Sequence, residues 1–194
     1  MPSQQEWSER WKTGDTPWDL GTSTPALLEF REHLDSGNRV LVPGCGRGHD
    51  AHLLWKMGFK VTGIDLAAEA LEHAQSQYPH SGVRWMVKDF LTVSLTTKFD
   101  AVWEYTSFCA MDPEQRPQYF SQIAKHLRKG GLYGGLVFTK VPNPDKGEPP
   151  YQIEENAFKQ LLEPHFEIID WVPAYPKSVK ARRGNELWFL AEKK

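Results

Sequence analysis

The chain has 194 residues and a formal net charge of −2. A domain of this size buries roughly 70% of the surface its unfolded form exposes, so one core is enough to hold it together. The near-balanced charge supplies no general field for nucleic acid or an anionic membrane, and no apolar run approaches the roughly 20 residues that span a bilayer. Neither partner is expected.

The first residues, Met-Pro-Ser-Gln-Gln-Glu-Trp, lack a basic region and an apolar core, so secretion is not expected. Trp7, Trp11 and Trp18 follow in a polar setting. Three indoles are poor choices for a frayed end, and they are expected to fold back over something. Trp7 and Trp11 share one helical face, which also suits simple docking on a core. Trp18, beside Gly14 and Pro17, falls in a turn-rich loop. Thr24 and Pro25 then read as the N-cap and first-turn proline of a helix carrying Leu27, Phe30 and Leu34 at helical spacing.

The next stretch is the most informative. Val40, Leu41 and Val42 read as a buried parallel strand, and Gly44, Gly46 and Gly48 let the backbone turn tightly and approach a ligand with no Cβ in the way. Asp65 closes the apolar run 61–64, where an acid accepts hydrogen bonds from two ribose hydroxyls. A dinucleotide fingerprint, G-x-G-x-x-G, would place its third glycine at His49, so a nicotinamide oxidoreductase is disfavoured. The spacing here resembles instead the S-adenosylmethionine loop of class I methyltransferases. A helix from about Asp50 stops at Gly58. His49 and His52 lack the H-E-x-x-H spacing and read as a solvated helix face; no metal site is expected.

Apolar runs recur at 40–42, 61–64, 83–86, 101–103, 132–138, 166–172 and 187–190, with helical patterns between most of the early ones. That alternation predicts an α/β fold, a parallel sheet with helical crossovers. Ligands of such sheets sit outside the carboxyl ends of the strands. Asp89 follows the third run, placed to accept from an adenine amino group, with Leu66 and Phe90 bracketing the ring; Glu104 and Tyr105 follow the fourth. Asp112, Pro113 and Gln115 read as the N-cap, first-turn proline and capping-box residue of a helix to Leu127, stopped by Gly130 and Gly131. Residues 141–150, with four prolines, form a loop able to act as a lid, followed by a helix ending near Leu162. Lys177, Lys180, Arg182 and Arg183 cluster in a solvated or substrate-facing loop. Cys45 and Cys109 show no framework spacing, which suits a reducing compartment, the cytoplasm by default.

W-x-x-R-W-x-x-G-x-T-P-W-D over 7–19, V-L-V-P-G-C-G-R-G-x-D over 40–50, G-I-D at 63–65, D-F at 89–90, Y-x-x-F-C-A over 105–110 and R-P at 116–117 together resemble the thiopurine S-methyltransferase superfamily. Its thiol and halide methyltransferases are the nearest branch. Gly-Glu-Pro-Pro-Tyr over 147–151 and Arg-Gly-Asn-Glu over 183–186 extend the match. The resemblance implies one Rossmann-like class I methyltransferase domain over 1–194, with a mostly parallel seven-stranded sheet, helices on both faces and the last strand antiparallel. Residues 1–22 would cover the cofactor. It implies cofactor contacts at Trp7, Trp11, Trp18, Gly44, Asp65, Asp89, Phe90 and Glu104, with Tyr105 able to take the place of Glu104; the loop and strand-end readings add Gly46 and Leu66. Arg116, a second arginine at Arg183, and Tyr105 would serve the acceptor.

The expected reaction is methyl transfer from S-adenosylmethionine, leaving S-adenosylhomocysteine, to a small nucleophile: a thiolate, hydrosulfide, halide or thiopurine-like compound. Holding both partners in line in a dry pocket supplies roughly 7–11 kcal/mol. A few per cent of a thiol is already ionised at neutral pH, so a strong base is not essential. An oxygen or nitrogen acceptor such as a hydroxyquinolone, and a non-catalytic cofactor-binding protein, remain open. A monomer is expected.

Overall fold

In a computed structural model, which describes residues 3–194, the apolar runs become the strands of one seven-stranded sheet. They are β1 (Arg39–Pro43), β2 (Lys60–Asp65), β3 (Arg84–Val87), β4 (Phe99–Tyr105), β5 (Leu127–Phe138), β6 (Phe166–Val172) and β7 (Glu186–Lys193). Their spatial order is β3-β2-β1-β4-β5-β7-β6. The first five pair in parallel, Val40 lying opposite Val61 on one side and Ala101 on the other. β7 enters antiparallel between β5 and β6. The order reverses at β1, so a crevice opens where β1 and β4 end, the place such sheets bind ligands.

Alternation along the strands builds a core on each face. Leu41 and Val102 join Phe120, Ile123 and Phe158 on one side, while Val40, Val42 and Trp103 join Phe30 and Leu54 on the other. The helices are α1 (Gln4–Thr13), α2 (Leu27–Arg31), α3 (His49–Lys56), α4 (Ala68–Gln77), α5 (Arg116–His126) and α6 (Glu155–Leu162).

Three local expectations are corrected. Thr24 does not cap α2 with its side chain; its backbone N–H donates instead to Asp50 Oδ1 at 2.8 Å, and the N-cap residue is Ala26. α5 ends at His126 rather than being stopped by Gly130 and Gly131, which fall inside β5. Lys193 accounts for that early end, because its Nζ donates to the carbonyls of Ala124 at 2.6 Å and Leu127 at 2.9 Å. His49 and His52 are not a solvated face. Both rings are half-buried around Tyr78, His49 Nδ1 lying 2.7 Å from its hydroxyl and His52 stacked on its ring at 4.0 Å.

α1 starts on a reciprocal cap, in which the Glu6 amide donates to Ser3 Oγ at 3.2 Å and the Ser3 amide donates to Glu6 Oε2 at 2.6 Å. It ends at Gly14 in the left-handed region. The segment that follows is stitched down by Asp19, paired with Arg47 at 2.7 Å and with His49 at 3.1 Å. Asp50 adds a second stitch, accepting from Thr24 N and from Trp103 Nε1, each at 2.8 Å.

Candidate functional site

A cavity of about 400 Å³ opens at the carboxyl ends of β1, β2, β4 and β5, roofed by α1 and the segment after it. Its floor is the glycine loop. Gly44 and Gly46 hold φ of +57° and +52°, and a Cβ on Gly44 would stand 2.7 Å from Ser107 Oγ, so only glycine fits there. Asp65 braces the same loop from the tip of β2, Oδ2 accepting from Gly46 N at 2.9 Å and Oδ1 from Ala67 N at 3.0 Å. Burial raises its carboxyl above the ordinary carboxylate range, opposed by these backbone donors. The carboxylate borders the cavity at a strand tip, a position that suits a ribose diol.

The roof is aromatic. Trp18 meets Trp7 at 5.3 Å and Trp11 at 5.7 Å between centroids, both edge to face. Cations already rest on these rings: the Arg10 guanidinium lies 4.8 Å from the Trp18 centroid and Arg47 lies 5.6 Å from that of Trp11. A sulfonium beneath the same indoles meets the chemistry that attracts the two arginines. Leu66, Asp89 and Phe90 line the far end of the cavity. Asp89 Oδ1 accepts from Leu91 N at 2.9 Å and Oδ2 from Thr92 Oγ1 at 3.3 Å, which fixes the carboxylate at the cavity lining.

The end of β4 departs from expectation. Glu104 does not line the cavity; strand alternation turns it inward toward α5, where it is fully buried, accepts from Tyr119 Oη at 2.5 Å and accepts from Phe108 N at 2.9 Å. Ser107 and Tyr119 reach the cavity in its stead. Tyr105 points to the opposite side of the sheet, and burial pushes its hydroxyl well above the ordinary range, so it stays neutral. Thr106, between them and the cavity, is held at a φ of +64°, a left-handed conformation that costs a β-branched residue about 1–3 kcal/mol.

Neither expected arginine lines the cavity. Arg116 opens α5 behind the wall, its guanidinium 4.6 Å from the Phe108 centroid and donating to the Gln152 carbonyl at 3.2 Å. It holds the start of the strap that leads to α6. Arg183 is exposed. Its neighbour Arg182 turns inward instead, donating to Tyr105 Oη at 2.5 Å and to the Trp18 carbonyl at 2.7 Å. Its guanidinium also lies 5.4 Å from the Phe138 centroid on the cavity wall. The basic run of 177–183 signals an arginine here, yet only the turn at Lys180–Arg182 decides which one faces in.

Around Arg182 the wall is Phe138, Met111, Pro142 and Pro150, with Lys140 at the rim. The carboxylates of the lining, Asp65 and Asp89, both stand at the other end among the described residues. Cys109 also borders this half, but burial pushes its thiol up to about 12, so it remains protonated.

The family model described as thiopurine S-methyltransferase matches residues 2–174. The chain belongs to the thiopurine S-methyltransferase family. A probable thiol methyltransferase 2 of Arabidopsis thaliana is 34% identical to this family member over 187 residues, 93% of this chain and 81% of that one. Thiocyanate methyltransferase 1 of Brassica oleracea is 32% identical over 190 residues, with the same shares of 93% and 81%. The N-methyltransferase NodS of Bradyrhizobium japonicum WM9, solved with S-adenosylhomocysteine, superposes with a TM-score of 0.79 over 99% of both chains at 18% identity, which shows the fold. This family member is therefore an S-adenosylmethionine-dependent methyltransferase acting on a small acceptor, with the Rossmann-like class I fold read from the sequence. No helix of the described residues is long and apolar enough to cross a membrane.

Proposed function

We propose that the acceptor is a small anionic sulfur nucleophile, a thiolate, hydrosulfide or thiocyanate-like anion, with halides as further substrates. The observation that carries this reading is the distribution of carboxylates along the cavity: Asp65 and Asp89 line one end, beside Lys88. The end that holds Arg182, Lys140 and Asn185 has no carboxylate among the described lining residues, Glu186 standing behind Arg182 at 3.9 Å. Thiol and thiocyanate methyltransferases among its relatives support it.

In this reading Asp65 holds the ribose hydroxyls, Asp89 meets the adenine amino group and Leu66 and Phe90 flank the ring. Gly44 and Gly46 let the backbone close on the donor, and Trp7, Trp11 and Trp18 cover it. S-adenosylmethionine supplies a methyl group on a cationic sulfur. Arg182 draws the anionic acceptor to face that methyl, with Tyr105 holding the guanidinium in place. Excluding water strips the nucleophile's hydration shell as charge is lost in the displacement. Arg116 acts at one remove, fixing the strap over the acceptor end. Two free cysteines support a reducing compartment, and we place the protein in the cytoplasm as a monomer.

The test is turnover of a panel of hydrosulfide, a small thiol, thiocyanate, iodide, a thiopurine and a hydroxyquinolone, with methylated products read by mass spectrometry. Highest efficiency on a sulfur anion is the expected result. Highest efficiency on the hydroxyquinolone overturns it.

A further inference from the structure

Glu104 is a buried carboxyl with no cation against it among the described residues. The groups that set its proton affinity are the hydroxyls of Tyr119 from α5 and Tyr133 from β5 and the amides of Ser107 and Phe108. Burial pushes its pKa up to about 7, against those donors. Packing alone gives no reason for an acid there, since a glutamine would fill the same space and accept the same amide hydrogen bond. The carboxyl is nevertheless connected to the cavity. Tyr119 Oη lies 2.5 Å from Glu104 Oε2 and 3.3 Å from Ser107 Oγ, and Ser107 and Tyr119 both line the cavity. One hydroxyl hydrogen cannot serve both neighbours. With Tyr119 donating to the carboxylate, its oxygen accepts from the Ser107 hydroxyl, which leaves a Ser107 lone pair facing the cavity. The chain is oriented to move a proton inward.

We propose that Ser107, Tyr119 and Glu104 form a proton relay that deprotonates acceptors arriving in their neutral form, extending the substrate class from pre-formed anions to protonated thiols. The proposal rests on the sulfur-acceptor reading above. The S–H proton passes to Ser107 Oγ, the Ser107 proton to Tyr119 Oη and the Tyr119 proton to Glu104 Oε2, so that one proton leaves sulfur and one carboxylate becomes a carboxylic acid. The electron pair left on sulfur forms the new bond to the methyl carbon. The old carbon–sulfur bond breaks, and its pair neutralises the sulfonium. After product leaves, the proton returns to solvent along the same chain. A base of this affinity is matched to work at neutral pH.

Thiocyanate carries no proton to remove and so provides an internal reference. For Glu104→Gln and, separately, Tyr119→Phe, kcat is measured at pH 7 on a small aliphatic thiol and on thiocyanate at saturating donor. The expected result is a thiol-to-thiocyanate ratio about 100-fold below that of the unaltered protein in both variants, with the loss in kcat rather than in the KM for the donor. In the unaltered protein, thiol kcat/KM rises as the carboxyl ionises near pH 7. In Glu104→Gln it follows only the thiol's own ionisation near about 8.5. Loss of both acceptors in proportion, or an unchanged ratio, overturns the relay and leaves Glu104 a structural group. An unaltered protein that methylates neither acceptor overturns the sulfur-acceptor reading itself.

Discussion

Arg182 and Arg183 are adjacent, yet one lies against Trp18 and Tyr105 and the other faces solvent. If the inward guanidinium draws the acceptor, Arg182→Met should lower kcat/KM for thiocyanate by about 10–100-fold, the worth of one hydrogen bond to a charged group, while Arg183→Met should stay close to the unaltered value. Steady-state kinetics on both variants checks this. Asp65→Ala should weaken S-adenosylhomocysteine by about 10–100-fold in calorimetry, since it removes both the ribose partner and the brace on the Gly46 amide. At this scale the gathering of the glycine loop, Asp65 and Asp89 on one cavity was legible, because glycine spacing and an acid at a strand tip carry their own chemistry. The acceptor half was not. Nothing in the composition of residues 177–183 says which arginine a turn aims inward, and nothing in Glu104 itself says that strand alternation hides it behind Tyr119.

Element boundaries were set by partners far away in sequence. The early stop of α5 is imposed by Lys193, which takes the carbonyls a longer helix would have used. The segment before β1 is likewise governed by α3 and β4: Asp50 ties the Thr24 amide to the Trp103 indole. An asparagine at 50 offers one acceptor where two donors converge, so Asp50→Asn should cost about 1–3 kcal/mol in chemical denaturation. Trp18 joins the roof to both other indoles. Trp18→Ala should weaken a sulfonium donor more than the neutral S-adenosylhomocysteine, by about 0.5–2 kcal/mol, in paired calorimetric titrations. Propensity and turn residues pointed to helices near α2, α3, α5 and α6, whereas α4 was read only as a helical pattern between two apolar runs; their exact ends depend on contacts a local reading does not contain.

For the whole molecule, the alternation of apolar runs and helical patterns translated directly into a parallel arrangement of the first five strands, because the central runs fill strands buried on both faces, while the edge strands β3 and β6 stay partly exposed. The antiparallel direction of β7 came only through the family resemblance, and its insertion between β5 and β6 was not read from the sequence at all. Two buried acids also leave a signature on global stability. Burial raises Asp50 from 3.8 to about 6 and Glu104 from 4.5 to about 7, so between these values the folded state holds more protons than the unfolded state. Stability should therefore fall as pH rises from about 4.5 to 7 by thermal unfolding, and Glu104→Gln should flatten that slope. The hydrogen bond from Arg182 to the Trp18 carbonyl has a mechanical corollary. It ties the tryptophan-bearing segment after α1 to the turn before β7, so moving that segment outward has to break this bond.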